Sequence, residues 1–572
     1  MKSWFEIIES NLNSMDEEKR KLTISLIKDP LSVDESSLRK HISNVLLGDF
    51  LKVLKWIKTI LSNNKPIFSL FASEFGIEIY FYNDNKKEFI ENYELILNDY
   101  KERAKEDLER KRGLNLDELP SQVKVNLYIL YSLSDLLVYI LSDVLIINGN
   151  GRYELNDEYY SSYKMIWFSR YFAQQSHISD FLIQIKLNVF EVTSREDSIF
   201  QNWVDIALDK YLSINPNYIK FLDENDRLIF SSLRKVAEFV ILLSLFLGQE
   251  IIKTKQINIV RYIDVRDLIS FGFSDGEISR FFADIDKLDL PKCDRIFTKI
   301  DDDTIRINNI NLKFALQVSL RNYLISMKGR GRWFETEYIL KYLGDNIDKG
   351  RFLITKGIND PKEKYDSDIL IYDKDSGLIY FCQIKHRIDT IHPFFRDEFS
   401  EYCTNSQLLH GVEQLNTLKS KISTSNVKER LISRLGKNIV NKLDIKKSSR
   451  FLLLHSIENL DMCTKNGIAM YEWNTFRNLL KGEITAFKNS NFNSIIYSNK
   501  LMDFSKIINI QEYLINEFQK VNNVLRSDYG PAKQWEVLKG ARVSFVFNIS
   551  IGFLNKSIFK FKQKYWDMPL IS

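Results

Sequence analysis

Residues 367–385 read SDILIYDKDSGLIYFCQIK, two apolar runs on either side of a polar, turn-forming stretch. The stretch from Asp373 to Gly377 favours a chain reversal, so residues 367–372 are expected to fold back on 378–383 as an antiparallel pair. Side chains alternate across a strand with period two. That period puts Leu378, Tyr380, Cys382 and Ile384 on one face and Ile379, Phe381, Gln383 and Lys385 on the other. The fold-back sets Asp368 opposite the Gln383–Lys385 end, at the mouth of the hairpin and on a solvent-facing sheet edge. Upstream, residues 333–343 have helical character and carry Glu335 and Glu337, either of which reaches the same end.

These groups suit one kind of chemistry. An acidic helix, an aspartate heading a strand and a closing Gln-x-Lys are what a metal-dependent phosphodiesterase needs. Mg²⁺ takes oxygen ligands and keeps several waters, so two carboxylates plus substrate oxygens suffice to hold it. The candidate ligands are Glu335, Asp368, the Gln383 side chain and the main-chain carbonyl of Ile384. Lys385 would orient water or offset charge developing on the phosphate. Glu337, Glu413, Gln414 and His386 are alternative or supporting candidates. Gln383 brings an oxygen but no charge. A glutamate there is therefore expected to be tolerated and to strengthen metal binding. Gln-x-Lys alone means little, since Gln122-Val123-Lys124 and Gln184-Ile185-Lys186 repeat it without a turn-linked pair of strands.

Three motifs occur in order: Gly331-Arg332-Trp333-Phe334-Glu335, Asp368-Ile369-Leu370-Ile371 and Gln383-Ile384-Lys385. With them, residues 328–480 resemble the PD-(D/E)XK nuclease superfamily, and within it the Mrr-type restriction endonucleases. The resemblance implies an α/β core with a mixed central sheet and DNA cleavage with Mg²⁺, for which Mn²⁺ substitutes. It also implies a role in restriction or antiviral defence. It favours Glu335 over Glu337, because Glu335 follows Phe334 in the Gly-x-x-Phe-Glu pattern. The same residues leave two other readings open: a catalytically inactive scaffold that binds nucleic acid, and a transposase- or repair-type nuclease. Short apolar runs at 450–455 and 467–472 between helical stretches suit an α/β sheet.

At 572 residues the chain exceeds one core. The expected division is a mainly α-helical region at 1–322, a restriction-endonuclease-like α/β domain at 323–490 and a helix-plus-strand extension at 491–572. In that extension residues 508–525 read as helix and 542–553 as strand. Residues 260–310 fit either a winged-helix module or a structural connector. There Ser274 and Glu277 form a capping box, and a hairpin surrounds Asp301-Asp302-Asp303. So acidic a turn suits a phosphate-facing wing badly and favours the connector. Residues 127–147 read as a buried core helix, since Asp135 and Asp143 make a membrane span costly. Residues 1–12 carry acidic groups and no long apolar run, so a cytoplasmic protein without membrane contact is expected.

Four cysteines without a Cys-x-x-Cys pair and six scattered histidines argue against a zinc knuckle and a histidine-based metal site. The lack of a Walker-type glycine motif means that any ATP-driven step needs a partner such as an ATPase. The net charge is +4, unevenly spread: residues 1–320 hold 41 Lys and Arg against 49 Asp and Glu, and the remainder 39 against 27. The basic part suits DNA, with residues 419–450 the densest stretch. The acidic helical part suits a protein partner or self-association.

Overall fold

The computed structural model describes residues 4–28, 190–212, 224–254, 261–286, 297–307, 333–387 and 395–457. It also describes most of 460–487 and shorter pieces within 105–155, at 217–218 and 331, and at 495–500 and 542–545. The helix expected at 508–525 and most of the run at 127–147 lie outside these residues.

Helix α1 (Trp4–Asn13) buries Phe5, Ile8 and Leu12 at helical spacing and leads into α2 (Glu17–Lys28). Asn11 donates from its amide to the Leu141 carbonyl at 2.8 Å and to the Asp143 carboxylate at 3.2 Å. Asp143 itself takes a left-handed φ of 57°, which ends a helix. The chain then runs on as β1 (Leu145–Ile147), antiparallel to β2 (Tyr153–Leu155). The stretch expected as one helix to residue 147 therefore finishes as a strand.

Helices α3 (Ser198–Leu212) and α4 (Glu224–Thr254) precede β3 (Arg261–Asp264), α5 (Val265–Phe271), α6 (Asp275–Asp286), β4 (Phe297–Lys299) and β5 (Thr304–Ile307). Asp264 caps α5, Gly272 at φ 117° ends it, and Ser274 and Glu277 exchange hydrogen bonds at the start of α6. The three strands pair antiparallel in the order β3-β5-β4. The order is thus a helix, a strand, two helices and a hairpin, with the first strand beside the last. Phe239 of α4 packs against Phe273, Phe281 and Phe297 of this unit. Asp301, Asp302 and Asp303 stand exposed at the hairpin tip.

A π-helical turn (Trp333–Tyr338) leads into α7 (Ile339–Asn346). The strands β6 (Phe352–Lys356), β7 (Asn359–Asp360), β8 (Tyr365–Asp366), β9 (Ile369–Asp373) and β10 (Leu378–Lys385) follow. Next come α8 (Phe395–Thr404), α9 (Ser406–Lys421), α10 (Ser425–Leu435) and two short helices, α11 (Lys437–Val440) and α12 (Ile445–Ser448). The strands β11 (Ser449–His455), β12 (Cys463–Lys465) and β13 (Ile468–Glu472) complete a mixed six-stranded sheet in the order β12-β13-β11-β10-β9-β6. Within it β10 runs parallel to β11 and β11 to β13, while the other pairs are antiparallel. Strands β14 (Glu483–Phe487), β15 (Ile495–Lys500) and β16 (Arg542–Phe545) form a separate antiparallel sheet.

The hairpin expected at the sheet edge thus lies inside it. Strand β10 is buried on both faces and has neighbours on both sides, as its near-continuous apolar run requires. Contacts also cross residue 322. Phe5 of α1 stacks on Tyr402 at 4.7 Å between centroids, and Glu9 pairs with Lys465 of β12. Asp209 of α3 accepts from the Tyr338 hydroxyl at 3.1 Å and from Arg477 at 2.8 Å. No described helix is long and apolar enough to cross a membrane.

Candidate active site

The β9–β10 hairpin is fixed at its closed end by charge. Asp373, fully buried, takes two hydrogen bonds from Arg351 at 2.9 Å, one from Ser376 at 2.7 Å and one from the Asp375 amide. Gly377 supplies the left-handed φ of 67° that the turn needs. With that register set, Asp368 meets the end of β10. Its amide donates to the Cys382 carbonyl at 2.9 Å, and its carboxylate accepts the Ile384 N–H at 2.7 Å. The N–H and C=O of one strand residue point to the same side. The Ile384 carbonyl therefore also faces the flank where β9 has stopped.

Two close approaches of backbone set the other groups in place. A Cβ on Gly357 would stand 1.7 Å from the Ser367 carbonyl oxygen, so only glycine lets the β6–β7 connection lie against residues 367 and 368. A Cβ on Gly411 would stand 2.8 Å from Leu453 Cδ1 and 3.4 Å from both Gln383 Cγ and Lys385 Cε. Helix α9 therefore lies directly on the face that carries Gln383 and Lys385. The π-helical turn buries Trp333, Phe334 and Tyr338, leaving Glu335 half-buried and Glu337 exposed.

Electrostatics shows which groups share one space. Asp368 is pushed up to about 7 by burial, then by the neighbouring Glu335 carboxylate and by Asp366, against the pull of the Ile384 N–H and Lys385. As a residue Asp368 keeps some exposure, but its carboxyl is the enclosed part. Glu335 is raised by burial, with Lys385 opposing and Asp366 adding. Asp366 is raised by burial as well, against Lys385, a hydrogen bond from the Gln383 amide and the charge of His410. Three carboxylates thus face one lysine. Gln383 is 1% exposed, and its Oε1 accepts no hydrogen bond among the described residues; the Oε1 of Gln414, on α9, is in the same position.

Of the residues expected together, Asp368 meets the Ile384 N–H, Gln383 and Lys385 share the face beneath Gly411, and Glu335 lies within electrostatic reach of Asp368 and Lys385. Glu337 and Glu413 point to solvent; Glu413 lies 4.0 Å from the exposed His410. His386 is not a group that meets a phosphate. The strand alternation turns it away from Lys385, and it lies buried against Phe334 with ring centroids 4.2 Å apart. Asp366 was missed. The signal is the Asp-Ser-Asp spacing at 366–368, which in extended chain puts both carboxylates on one face.

The donor set fits a divalent cation. It offers carboxylates with excess negative charge and a buried amide oxygen lacking a donor, the hard oxygen groups that Mg²⁺ prefers. Among the described residues no three His, Cys, Asp or Glu side chains converge closely enough for simultaneous chelation. The fit is to an ion held by two side chains and completed by water and substrate.

The basic stretch at 419–450 divides. Lys421 pairs with Glu363, Arg430 with Asp360 at 2.8 Å, and Arg434 donates to the Gly357 carbonyl at 3.1 Å. Lys442, Lys446 and Lys447 flank Leu443, whose Cδ2 stands 3.7 Å from a Cβ built on Gly377. That is the closed end of the hairpin, about 25 Å of strand away from Lys385. The exposed Lys362 and Lys364 lie on the β7–β8 turn that leads into Asp366. No known family model, curated protein or solved structure matches the chain.

Proposed function

We propose that the chain is a divalent-metal-dependent nuclease that hydrolyses phosphodiester bonds in DNA, with its site at the C-terminal end of β10. The observation that carries this reading is the grouping of Glu335, Asp366 and Asp368 around Lys385, with the buried Gln383 oxygen lacking a donor. Charges buried for structure alone are paired, because a surplus of one sign in a low-dielectric interior is costly. This surplus suits a cation.

Asp368 and Glu335 would hold Mg²⁺ or Mn²⁺, with the Gln383 side chain and the Ile384 carbonyl as further oxygens. The ion would supply Lewis acidity at the phosphate and lower the pKa of water. Lys385, within electrostatic reach of the three carboxylates, would offset negative charge growing on the phosphate. The Ile384 N–H holds the Asp368 carboxylate in one orientation. Lys362 and Lys364 provide phosphate contacts that position the duplex without reading its sequence.

The test is nicking of supercoiled plasmid by the full chain with Mg²⁺, with Mn²⁺ and with a chelator, beside the variants Asp368→Asn and Lys385→Ala. Cleavage that needs metal and both side chains supports the proposal. Wild-type protein that binds duplex without cutting it under any metal would leave a non-catalytic nucleic-acid-binding scaffold.

A further inference from the structure

We infer that Asp209 of α3 is a positioning residue of the site: through the Tyr338 hydroxyl it holds the π-helical turn at the rotation that sets Glu335 in place. The inference rests on the metal-dependent reading of the site. It gives the helical region before residue 322 a direct part in building that site, beyond any partner it takes.

Glu335 stands inside the Trp333–Tyr338 turn, so whatever fixes the rotation of that turn fixes Glu335. A π turn closes its hydrogen bonds one residue later than an α turn and seldom stands without outside support. Slipping back to an α turn would change the angle between Glu335 and Tyr338 about the helix axis. Tyr338, the last residue of the turn, is where it is locked. Its side chain is fully buried, and its hydroxyl accepts from Trp473 Nε1 at 3.1 Å and from Arg477 at 3.2 Å. Those two groups only donate. The hydroxyl proton therefore goes to the Asp209 carboxylate at 3.1 Å, which Arg477 also holds at 2.8 Å.

A second anchor stands at the far end of α7. Tyr218, a few residues after α3, packs edge-on to the Tyr338 ring with centroids 5.4 Å apart. Its hydroxyl accepts from the Asn346 amide at 3.1 Å and reaches the Asp345 carboxylate at 3.5 Å. One anchor would leave the segment free to roll about it. Two, at residue 338 and at residues 345 and 346, fix its rotation. Apolar packing would join the two regions as firmly, whereas a satisfied network of directed bonds commits them to one orientation.

Mn²⁺ binding to the full chain, followed by electron paramagnetic resonance of the free ion, tests this on wild type, Tyr338→Phe, Asp209→Ala, Glu335→Gln and Tyr338→Phe with Glu335→Gln. Hydrogen–deuterium exchange of residues 331–347 in chelator reads the turn itself, and thermal unfolding checks each fold. Asp209→Ala strips Arg477 of its partner; Tyr338→Phe keeps that ion pair and the ring, and so carries the test if Asp209→Ala unfolds. Tyr338→Phe is expected to speed exchange of the turn and to weaken Mn²⁺ binding by about 10–100-fold, the usual effect of losing a group that orients a ligand. Added to Glu335→Gln it should weaken binding no further, because it acts through Glu335. A merely structural hydroxyl would lower the melting temperature without that dependence on Glu335. Tyr338→Phe that exchanges or binds as wild type does, losses that multiply in the double variant, or folded Asp209→Ala that binds as wild type does, overturns the inference while leaving the metal site in place. No Mn²⁺ binding by wild type, or binding unaffected by Glu335→Gln, overturns the metal reading of Glu335 and this inference with it.

Discussion

Two clusters of carboxylates among the described residues are treated in opposite ways. Where α4 meets α6, Arg195 reaches Glu238 at 2.6 Å and Glu277 at 3.1 Å. Arg234 and Lys235 add further pairs to the same two acids. Burial works against the Glu277 charge, but the Ser274 N–H, Lys235 and Arg195 outweigh it and hold the group down at about 2. At the end of β10, Glu335, Asp366 and Asp368 share Lys385, and Asp368 is pushed up to about 7. The first cluster is neutralised by its own chain; the second has one lysine for three carboxylates. Burial alone therefore does not mark a functional carboxylate, and the sign of its pKa shift separates the two cases.

The largest effects test the second cluster. Asp368→Asn should reduce plasmid cleavage to background, and Lys385→Ala should slow it by about 10²–10³-fold. Asp368→Asn should also raise the melting temperature in chelator at pH 7 and above, since it removes one of three carboxylate charges that share a single lysine. A variant that loses activity and stability together would make Asp368 an ordinary structural acid. The counterpart in the first cluster is Arg195→Ala, which leaves Glu238 and Glu277 to the charges of Arg234 and Lys235 alone. It should cost about 1–3 kcal/mol in denaturant unfolding.

The pH dependence of stability should differ in sign between the two. Cation-free native protein keeps the Asp368 proton up to about pH 7, whereas the unfolded chain releases it near 3.8. The native state binds more protons across that window. This group's contribution is therefore greatest below about pH 4 and is lost as pH rises to 7. Saturating Mg²⁺ should remove the loss. Glu277 works the other way, its contribution present above pH 4.5 and lost as pH falls toward 2. Urea unfolding of wild type, Asp368→Asn and Arg195→Ala between pH 3 and 8 resolves the two slopes. A wild-type curve unchanged by Asp368→Asn would break the comparison.

Smaller effects sharpen it. Glu335→Gln should lower cleavage at least as much as loss of an outer-shell partner does, about 10–100-fold. The exposed Glu337→Gln should leave it within about twofold of wild type. Removing Lys362 and Lys364 should lower the slope of log DNA affinity against log salt by about 2, one for each phosphate contact. Removing Lys446 and Lys447, at the far end of the hairpin, should leave that slope unchanged.

The hairpin was legible because its information is local. A period of two sorted Gln383 and Lys385 from Ile384, and the Asp373–Gly377 stretch fixed the register that brings Asp368 to them. Placing the hairpin inside the sheet needed β11 and β6, whose pairing no local pattern states. Asp366 lay in plain view in Asp-Ser-Asp, but its meaning depends on α9 delivering Gly411 onto the neighbouring strand. What the basic stretch does was not legible, because charge density along a chain says nothing of partners across it. Lys421 and Arg430 are neutralised by Glu363 and Asp360, some sixty to seventy residues earlier. His386 looked like a surface neighbour of Lys385 until Phe334, from a separate turn, covered it.

The seating of α1 on β12 has a consequence for how the chain is made. Phe5, Ile8 and Leu12 find Tyr402 and the sheet margin only after β12 has been synthesised, about 450 residues later. At ordinary translation speeds of about 5–20 residues per second, that apolar stripe waits roughly 20–90 s on the ribosome before its partner exists. A nascent chain in that interval offers a chaperone a ready target. Completion of the sheet margin is thereby tied to synthesis of β12, so a product stalled before it would carry the α1 stripe without that partner.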